Sequence, residues 1–338
     1  MAEKIVLSGM RATGRIHLGN YFGAVKNWVD LQDRYDCYYF IADWHALTTD
    51  YSDTSEVVDN ALEMLADWLA SGLDPDRSVI FLQSLVPEHA ELHLLLSMIT
   101  PLGWLERVPT YKEQIRELRK KDLSTYGFLG YPVLQTADIV LYRADLVPVG
   151  EDQASHLELS REITRRFNSQ FANVFPEPKA LFTPTPRVPG LDGRKMSKSY
   201  DNTINLADSP DVIRRKCQTM FTDPTRLRRT DPGHPDSCNL YNFHRLISSQ
   251  DVQERVAREC QLAQIGCVED KKLLADLMIA FLEPVRQRRE ELMRDKGQLM
   301  EILRQGSERA RARAAATMER VKGAMSLDYS RVGAGPVE

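Results

Sequence analysis

The sequence predicts an α/β protein: a doubly wound parallel sheet followed by an all-helical C-terminal domain. Three observations carry this. Short continuous apolar runs alternate with helix-spaced amphipathic stretches over the first half of the chain, which is the signature of parallel strands joined by crossover helices. The first apolar run gives way to a glycine-bounded turn and then directly to a helix. From Asp208 onward the strand-like runs stop and almost everything is helix-compatible. With 338 residues, two domains of roughly 150 residues each fit the length, and the boundaries fall at 1–207 for a Rossmann-like unit and 208–330 for the helical one.

Taken in order, Ile5-Val-Leu-Ser8 is a short apolar run that reads as a buried strand ending at Gly9. Gly9 to Gly14 forms a turn, and Asn20 to Leu31 carries helical spacing. A strand, a glycine turn and a helix start together aim backbone N–H groups at a phosphate. Cys37–Ala42 and Val79–Leu82 read as further buried strands. Between them Ser55–Leu69 is an amphipathic helix with Val58, Leu62, Leu65 and Leu69 on one side. A helix spans about Pro87 to Met98, and the polar stretch Ile115 to Asp122 reads as a surface helix. Apolar character returns over Gly127–Tyr142, Leu146–Val149 is a strand ending at Gly150, and His156–Phe167 is a helix. Asp208-Ser-Pro-Asp211 is a helix start. Residues 286–322 hold eleven Lys/Arg against six Asp/Glu, a net of +5. Val332 to Glu338 reads as a frayed end.

Composition narrows the class. A hydrophobic content of 43% with 27% charged residues describes an ordinary globular protein. No apolar run approaches the length of a membrane span, and the first residues carry no apolar signal segment, so a cytoplasmic location is expected. The net charge of −4 argues against a general polyanion binder while leaving room for a local basic face. Five cysteines, an odd number, argue against a disulfide framework.

Four constellations carry chemistry. The string Lys195-Met-Ser-Lys-Ser199 follows a stretch punctuated by Pro184, Pro186, Pro189 and Gly190, and so sits on a loop. Its lysines read either as solvated surface charge or as cations brought onto a polyphosphate when charge develops. His17-Leu-Gly-Asn20 lies at the first glycine turn. There the imidazole and amide can donate to phosphate oxygens and Gly19 allows close backbone approach. Pro148-Val-Gly-Glu-Asp-Gln153 ends a strand with polar side chains where ligands of open α/β sheets sit; the plainer reading is an acidic first turn of a helix. Asp138 stands among Ala137, Ile139, Val140 and Leu141 and reads as a buried carboxylate in need of donors. A helix cap, a structural salt bridge or a ligand N–H would each satisfy it.

The lysine string resembles the KMSKS signature of class I aminoacyl-tRNA synthetases, and His17-Leu-Gly-Asn20 is similar to their HIGH signature with Asn20 in the last place, as in the tryptophanyl and tyrosyl branch. Arg11-Ala-Thr-Gly14 is similar to the branch's usual Pro-Ser/Thr-Gly, with Ala12 in place of proline. Gly150-Glu-Asp-Gln-Ala-Ser-His-Leu-Glu-Leu-Ser-Arg161 closely resembles a signature of bacterial tryptophanyl-tRNA synthetases, which tyrosyl enzymes lack, and the likeness runs from Ser8 to the C-terminal helices.

The resemblance implies a phosphate apparatus of His17, Asn20, Lys195 and Lys198. It implies ATP contacts from Arg11, Ala12, Thr13, Gly19, Gly150, Glu151, Asp152, Val188, Met196, Ser197 and Ser199. It implies a tryptophan pocket in which Asp138 accepts the indole N–H, Gln153 faces the amino acid, and Tyr131, Gln135 and His45 line the walls. ATP with Mg2+, L-tryptophan and tRNA(Trp) are the implied substrates, the 208–330 region reads the anticodon, and a homodimer is implied. The family's C-terminal helices can also pack back on the catalytic domain.

Three rival readings stay open: a tyrosyl enzyme, a ligase that adenylates another carboxylate without tRNA, and a non-catalytic tryptophan- or RNA-binding paralogue. Finally, Cys238, Cys260, Cys267 and Asp270 follow C-x21-C-x6-C-x2-D. This resembles the C-x22-C-x6-C-x2-C iron–sulfur motif of a subgroup of these synthetases. Clusters are usually held by four thiolates, and one is missing here. Small buried cysteines are therefore favoured over a cluster, and no metal is firmly assigned.

Overall fold

Five strands make one parallel sheet in the order β3-β2-β1-β4-β5. They are β1 Ile5–Arg11, β2 Asp36–Ala42, β3 Ser78–Leu82, β4 Leu146–Val149 and β5 Lys179–Phe182. The computed structural model describes residues 4–108, 111, 123–150, 154–182 and 188–329. The expected surface helix from Ile115 to Asp122 lies outside the described residues, as do Glu151, Asp152 and Gln153. The chain winds from β1 through β2 to β3, then returns to the other side of β1 for β4 and β5. The order therefore reverses at β1.

β1 differs from expectation in length. It does not stop at Gly9 but pairs with β2 through the whole register from Ile5↔Asp36 to Arg11↔Ala42. Gly9 is a strand residue facing Phe40, where a Cβ would stand 2.5 Å from the ring. β5 was not legible in the sequence: it is a four-residue edge strand with both ends exposed, too short and too mixed to form an apolar run.

Successive residues of each strand face opposite sides, and the two faces are covered by different helices. Val6, Tyr39, Ile41 and Ile80 join one core with helix α4 (Val57–Ala70) and the C-terminal helices. Ile5, Leu7, Tyr38, Phe40 and Phe81 join the other with α5 (Glu88–Ser97), α7 (Tyr126–Leu141) and α8 (Ala154–Gln170). In α4 the buried face centres on Ala61, Leu62, Leu65 and Trp68, whereas Val58, expected on that face, is exposed. Pro210 at the first turn and Ser209 as cap start α9 (Pro210–Thr219) at the predicted place.

Helices α10 (Asn239–Ile247), α11 (Gln250–Gln261), α12 (Cys267–Leu292) and α13 (Lys296–Ala324) complete the chain. α13 lies across the edge strand β3. Gly306 is so close that a Cβ would overlap the Ile80 carbonyl, and the Leu82 N–H donates to Ser307 Oγ at 3.2 Å. A parallel sheet has an unpaired edge that must be blunted, and this helix does it with small buried residues, Gly306, Ser307, Ala310 and Ala314.

The basic character of 286–322 follows from this packing. Arg289 meets Asp67 and Glu63, Lys296 meets Asp59, Arg311 meets Glu88, and Lys322 meets Glu91. Arg286, Arg288 and Arg304 pair with glutamates on their own helices. Much of the +5 stretch is thus counter-charge for the first hundred residues rather than a free cationic face.

Two glycines of α13 test this account. Gly306→Ala lowers unfolding free energy by about 2–3 kcal/mol, because the backbone it meets cannot swing away. Gly323→Ala, with nothing near its Cβ position, raises it by about 0.5 kcal/mol. Denaturant unfolding of both variants reads the difference, and equal effects would remove the close approach at β3.

Candidate active site

Where the strand order reverses, a cavity of about 470 Å³ opens beside the carboxyl ends of β1 and β4. Open α/β sheets bind ligands at such a point. Gly9, Phe40, His45, Tyr131, Gln135 and Asp138 are among its walls, with Arg11 and Gly150 at the strand ends. Gly9 matters here because its missing side chain leaves the floor open above Phe40.

Asp138 is fully buried on α7 and accepts three hydrogen bonds. Oδ1 takes Gln83 Nε2 at 2.8 Å and His89 Nδ1 at 2.7 Å, and Oδ2 takes His45 Nε2 at 2.8 Å. Burial works against ionisation, but the bonds and charge of His45 and His89 outweigh it and hold the carboxyl well below its usual range. An ionised carboxylate only accepts, so both imidazoles donate to it. His89 Nε2 then faces the Tyr142 hydroxyl at 2.7 Å, and burial keeps that phenol protonated. The result is a relay of oriented groups behind the cavity wall. Each oxygen has two lone pairs; among the described residues Oδ1 uses both and Oδ2 one. Gln83, His89 and Tyr142 were not found from sequence. A buried aspartate signals that donors exist but not which ones.

The first turn carries His17. Thr13 is exposed, Ala12 is buried beside the end of β2, and Gly14 supplies the left-handed conformation, φ 88°, that lets the chain turn. His17 caps the short helix α1 (Leu18–Asn20): its Nδ1 accepts the Asn20 N–H at 3.3 Å, and Asn20 Oδ1 accepts the His17 N–H at 3.4 Å. Helical structure continues through a wider turn at Tyr21–Val25 into α2 (Lys26–Leu31). With Nδ1 accepting, the neutral ring carries its proton on Nε2 as a donor. Burial, helped by the nearby Lys198 ammonium, lowers the His17 pKa to about 4, so the ring stays neutral at physiological pH. Gly19 leaves the space that the His17 ring needs.

The lysine loop docks on this turn. Pro189 and Lys195 bridge antiparallel, the Met196 N–H donates to the Val188 carbonyl, and Gly193 turns the chain at φ 81°. Buried Asn202 staples the loop: its amide donates to Asp192 at 2.8 Å and to the Lys195 carbonyl at 3.2 Å, and its oxygen accepts the Ser197 N–H at 2.8 Å. Gly190 is required beside it, since a Cβ would overlap the Asn202 amide. Val188 and Met196 are buried and serve the loop's packing, whereas Lys195, Lys198 and Ser199 are exposed. Lys198 Nζ donates to the Thr13 carbonyl at 2.7 Å, and Leu18 N–H and Ile16 C=O bond the strand-like segment Ile204–Leu206. Although Lys198 is an exposed residue, its ammonium is partly desolvated, which lowers its pKa to about 8 against the pull of Asp67.

The cysteine set does not fit an iron–sulfur cluster. The Arg226 guanidinium stands between Cys260 and Cys267, with Nη1 3.6 and 3.9 Å from the two sulfurs, and Nη2 donates to the carbonyls of Ile265 and Arg229. Asp270 is turned to His244 Nε2 at 3.0 Å. Burial raises the thiol pKa of Cys238 and of Cys260, away from the thiolate that metals require. Among the described residues no three His, Cys, Asp or Glu side chains converge as a metal-holding group.

The chain is similar to known proteins over nearly its whole length. The family model for tRNA synthetases class I (W and Y) matches residues 2–283. The tryptophan–tRNA ligase of Thermotoga maritima is 50% identical over 326 residues, spanning 96% of this chain and 99% of that one. That of Aquifex aeolicus is 43% identical over 392 residues, spanning 95% and 99%. Among solved structures, tryptophanyl-tRNA synthetase from Campylobacter jejuni complexed with ADP and tryptophan superposes with a TM-score of 0.88 at 34% identity, covering 96% of this chain and all of the other. The chain belongs to the class I tRNA synthetases of the tryptophan and tyrosine family.

Proposed function

We propose that this chain activates L-tryptophan with Mg·ATP and transfers it to tRNA(Trp). The tryptophan carboxylate oxygen attacks the α-phosphorus, the bond to the bridging oxygen of the β-phosphate breaks, and pyrophosphate leaves with that electron pair. A terminal hydroxyl of the tRNA then attacks the aminoacyl carbonyl and AMP departs. No side chain becomes covalently bonded, so rate comes from positioning and from charge stabilisation. The observation that supports this reading best is Asp138 at the cavity wall, held ionised with acceptor capacity left on Oδ2. An indole N–H, which can only donate, suits that atom.

In this reading His45, Tyr131, Gln135 and Gln153 enclose the amino acid. His17 and Asn20 donate to phosphate from one side and Lys195 and Lys198 from the other. Arg11, Ala12, Thr13, Gly19, Gly150, Glu151, Asp152, Val188, Met196, Ser197 and Ser199 shape the nucleotide site, with Val188 and Met196 acting through loop packing. Residues 1–207 do this chemistry, and the helices of 208–330 meet the tRNA anticodon. The work is cytoplasmic. Among the described residues no helix is long and apolar enough to cross a membrane.

Leu94, Met98, Leu102 and Tyr126 are exposed on α5, α6 (Leu102–Leu105) and the start of α7. A second copy of the chain covers them in the homodimer. Sedimentation equilibrium tests this: Met98→Glu shifts a dimer to monomer, and an unchanged dimer moves the interface elsewhere.

The deciding experiment is ATP–pyrophosphate exchange with each of the twenty amino acids, without tRNA. Exchange with tryptophan is expected, and 1-methyltryptophan, lacking the indole N–H, loses about 10⁴-fold. Exchange with tyrosine would move the chain to the sister specificity, and none at all would leave a binding protein. The lysine loop makes a separate forecast. Because the Lys198 pKa is lowered to about 8, its positive charge is present below that pH and lost above it. kcat/KM for ATP therefore falls as pH rises through about 8. Lys198→Arg, which does not deprotonate, abolishes this limb, and a limb that survives the substitution belongs to another group.

A further inference from the structure

Asp67 lies on α4 with no exposed surface, and a buried carboxylate needs counter-charge and donors. Its partners come from opposite ends of the chain. The Ile16 N–H donates to Oδ2 at 2.8 Å, and Arg289 Nε donates to Oδ1 at 2.6 Å. Arg289, itself buried on α12, also reaches Glu63 through Nη2, and Glu63 Oε2 accepts Arg15 Nε at 3.0 Å. The arrangement is Arg15–Glu63–Arg289–Asp67–Ile16, across 222 residues of sequence between Asp67 and Arg289.

Ile16 immediately precedes His17. Its N–H is held by Asp67, and its carbonyl accepts the Leu206 N–H at 2.9 Å, from the segment that follows the lysine loop. The backbone of Ile16 is therefore held on both sides, at its N–H by Asp67 and at its carbonyl, in the peptide that leads to His17, by Leu206. Stability alone does not call for this device, since well-packed apolar residues in place of a buried ion pair are often as stable or more so. We propose that Arg289 is a positioning residue for the adenylation step: by pairing with Asp67 it sets the backbone of Ile16, the residue that precedes His17, and so couples helix α12 to the phosphate half of the active site.

Charge supports the geometry. Burial raises the Asp67 pKa to about 6, with Arg289 and the Ile16 N–H pulling it back and Glu63 pushing it up. Asp67 also acts on Lys198, whose ammonium it favours. The groups that face this carboxylate are Arg289 from α12, Glu63 from its own helix with Arg15 beyond it, and Lys198 from the loop. Asp67 is ionised above about pH 6 and loses its charge as pH falls through that value. Without Arg289 the carboxyl is buried without its strongest counter-charge, so it stays protonated to higher pH. Both the mounting of His17 and the charge of Lys198 are weakened together.

The test rests on the synthetase reading, and wild-type exchange with tryptophan checks that reading first. Arg289→Met, Arg289→Lys and Asp67→Asn are compared in exchange kinetics from acid to alkaline pH, with Mg·ATP binding measured separately by calorimetry. Arg289→Met is expected to lower kcat/KM for ATP about tenfold or more at neutral pH while the KM for tryptophan moves less than about twofold. Its acid limb shifts up by roughly one pH unit, and Arg289→Lys, which keeps the charge, restores the limb. Asp67→Asn, which has no carboxyl to titrate, loses the limb. If wild-type exchange is absent, the functional reading fails, and the calorimetric loss of Mg·ATP affinity in Arg289→Met still decides the coupling. The proposal is overturned if the folded variants keep wild-type ATP kinetics and pH limbs. It is equally overturned if none of the three folds, since the network is then purely structural.

Discussion

The reversal of strand order at β1 is the constraint from which the rest follows. The connections leave β1 and β4 in opposite directions along the sheet, and a cavity opens between their carboxyl ends. Gly9 keeps that gap open at its floor, because any side chain there would fill the space of the Phe40 ring. The signature turn leaves the end of β1, and α7 delivers Asp138 from beneath. The cavity walled by Asp138 and the first turn on which Lys198 docks thus both lie at this topological feature.

Two buried aspartates show how one physical problem is solved for different ends. Asp138 takes its donors from two imidazoles and an amide, His45, His89 and Gln83, and stays ionised beside a cavity. Asp67 takes a guanidinium and a backbone N–H, and sits behind the first turn, bonded to the residue before His17. In both cases burial opposes the charge and fixed donors sustain it. Such groups rigidify what they touch, because the donors cannot move away without stranding a charge in the core. The orientation of the His45 ring and of the Ile16 backbone is set in this way.

Much of the fold could be read from the sequence, since a parallel sheet buried on both faces produces uninterrupted apolar runs. β1 to β4 announced themselves like that. β5 did not, because an edge strand of four residues with exposed ends has no such run. The end of β1 was misplaced because a glycine reads locally as a turn, while the reason for Gly9 is a ring on the neighbouring strand. At the candidate site, residues grouped in a contiguous motif were legible as candidates: His17, Asn20, Lys195 and Lys198. Those that act by convergence were not. His89 and Gln83 meet Asp138, and Arg289 meets Asp67, only after the chain has folded, and no spacing records it. The partners of the basic residues in 286–322 were illegible for the same reason, because Asp67, Asp59, Glu88 and Glu91 lie far away in sequence.

The cysteine region extends this argument to a motif that is partly present. Spacing places Cys238, Cys260 and Cys267 in a pattern that suggests metal, but it says nothing about the charge of what stands among them. Four thiolates repel one another and need a cationic centre; protonated thiols raised by burial do not. Arg226 brings a cation to two of the sulfurs and, with the same guanidinium, ties Ile265 and Arg229 by their carbonyls. It joins the turn before α12 to the loop ahead of α10, two segments that a metal centre would otherwise cross-link. Asp270, where the fourth thiolate would stand, is withdrawn to His244 on α10 and adds a second tie between the same helices. These hydrogen bonds join buried apolar contacts of Leu240, Phe243 and Leu274 in holding α10 and α12 together. Cys238, the buried member of the set, is then a small apolar side chain in a helical core, while Cys260 and Cys267 stand half-buried against Arg226.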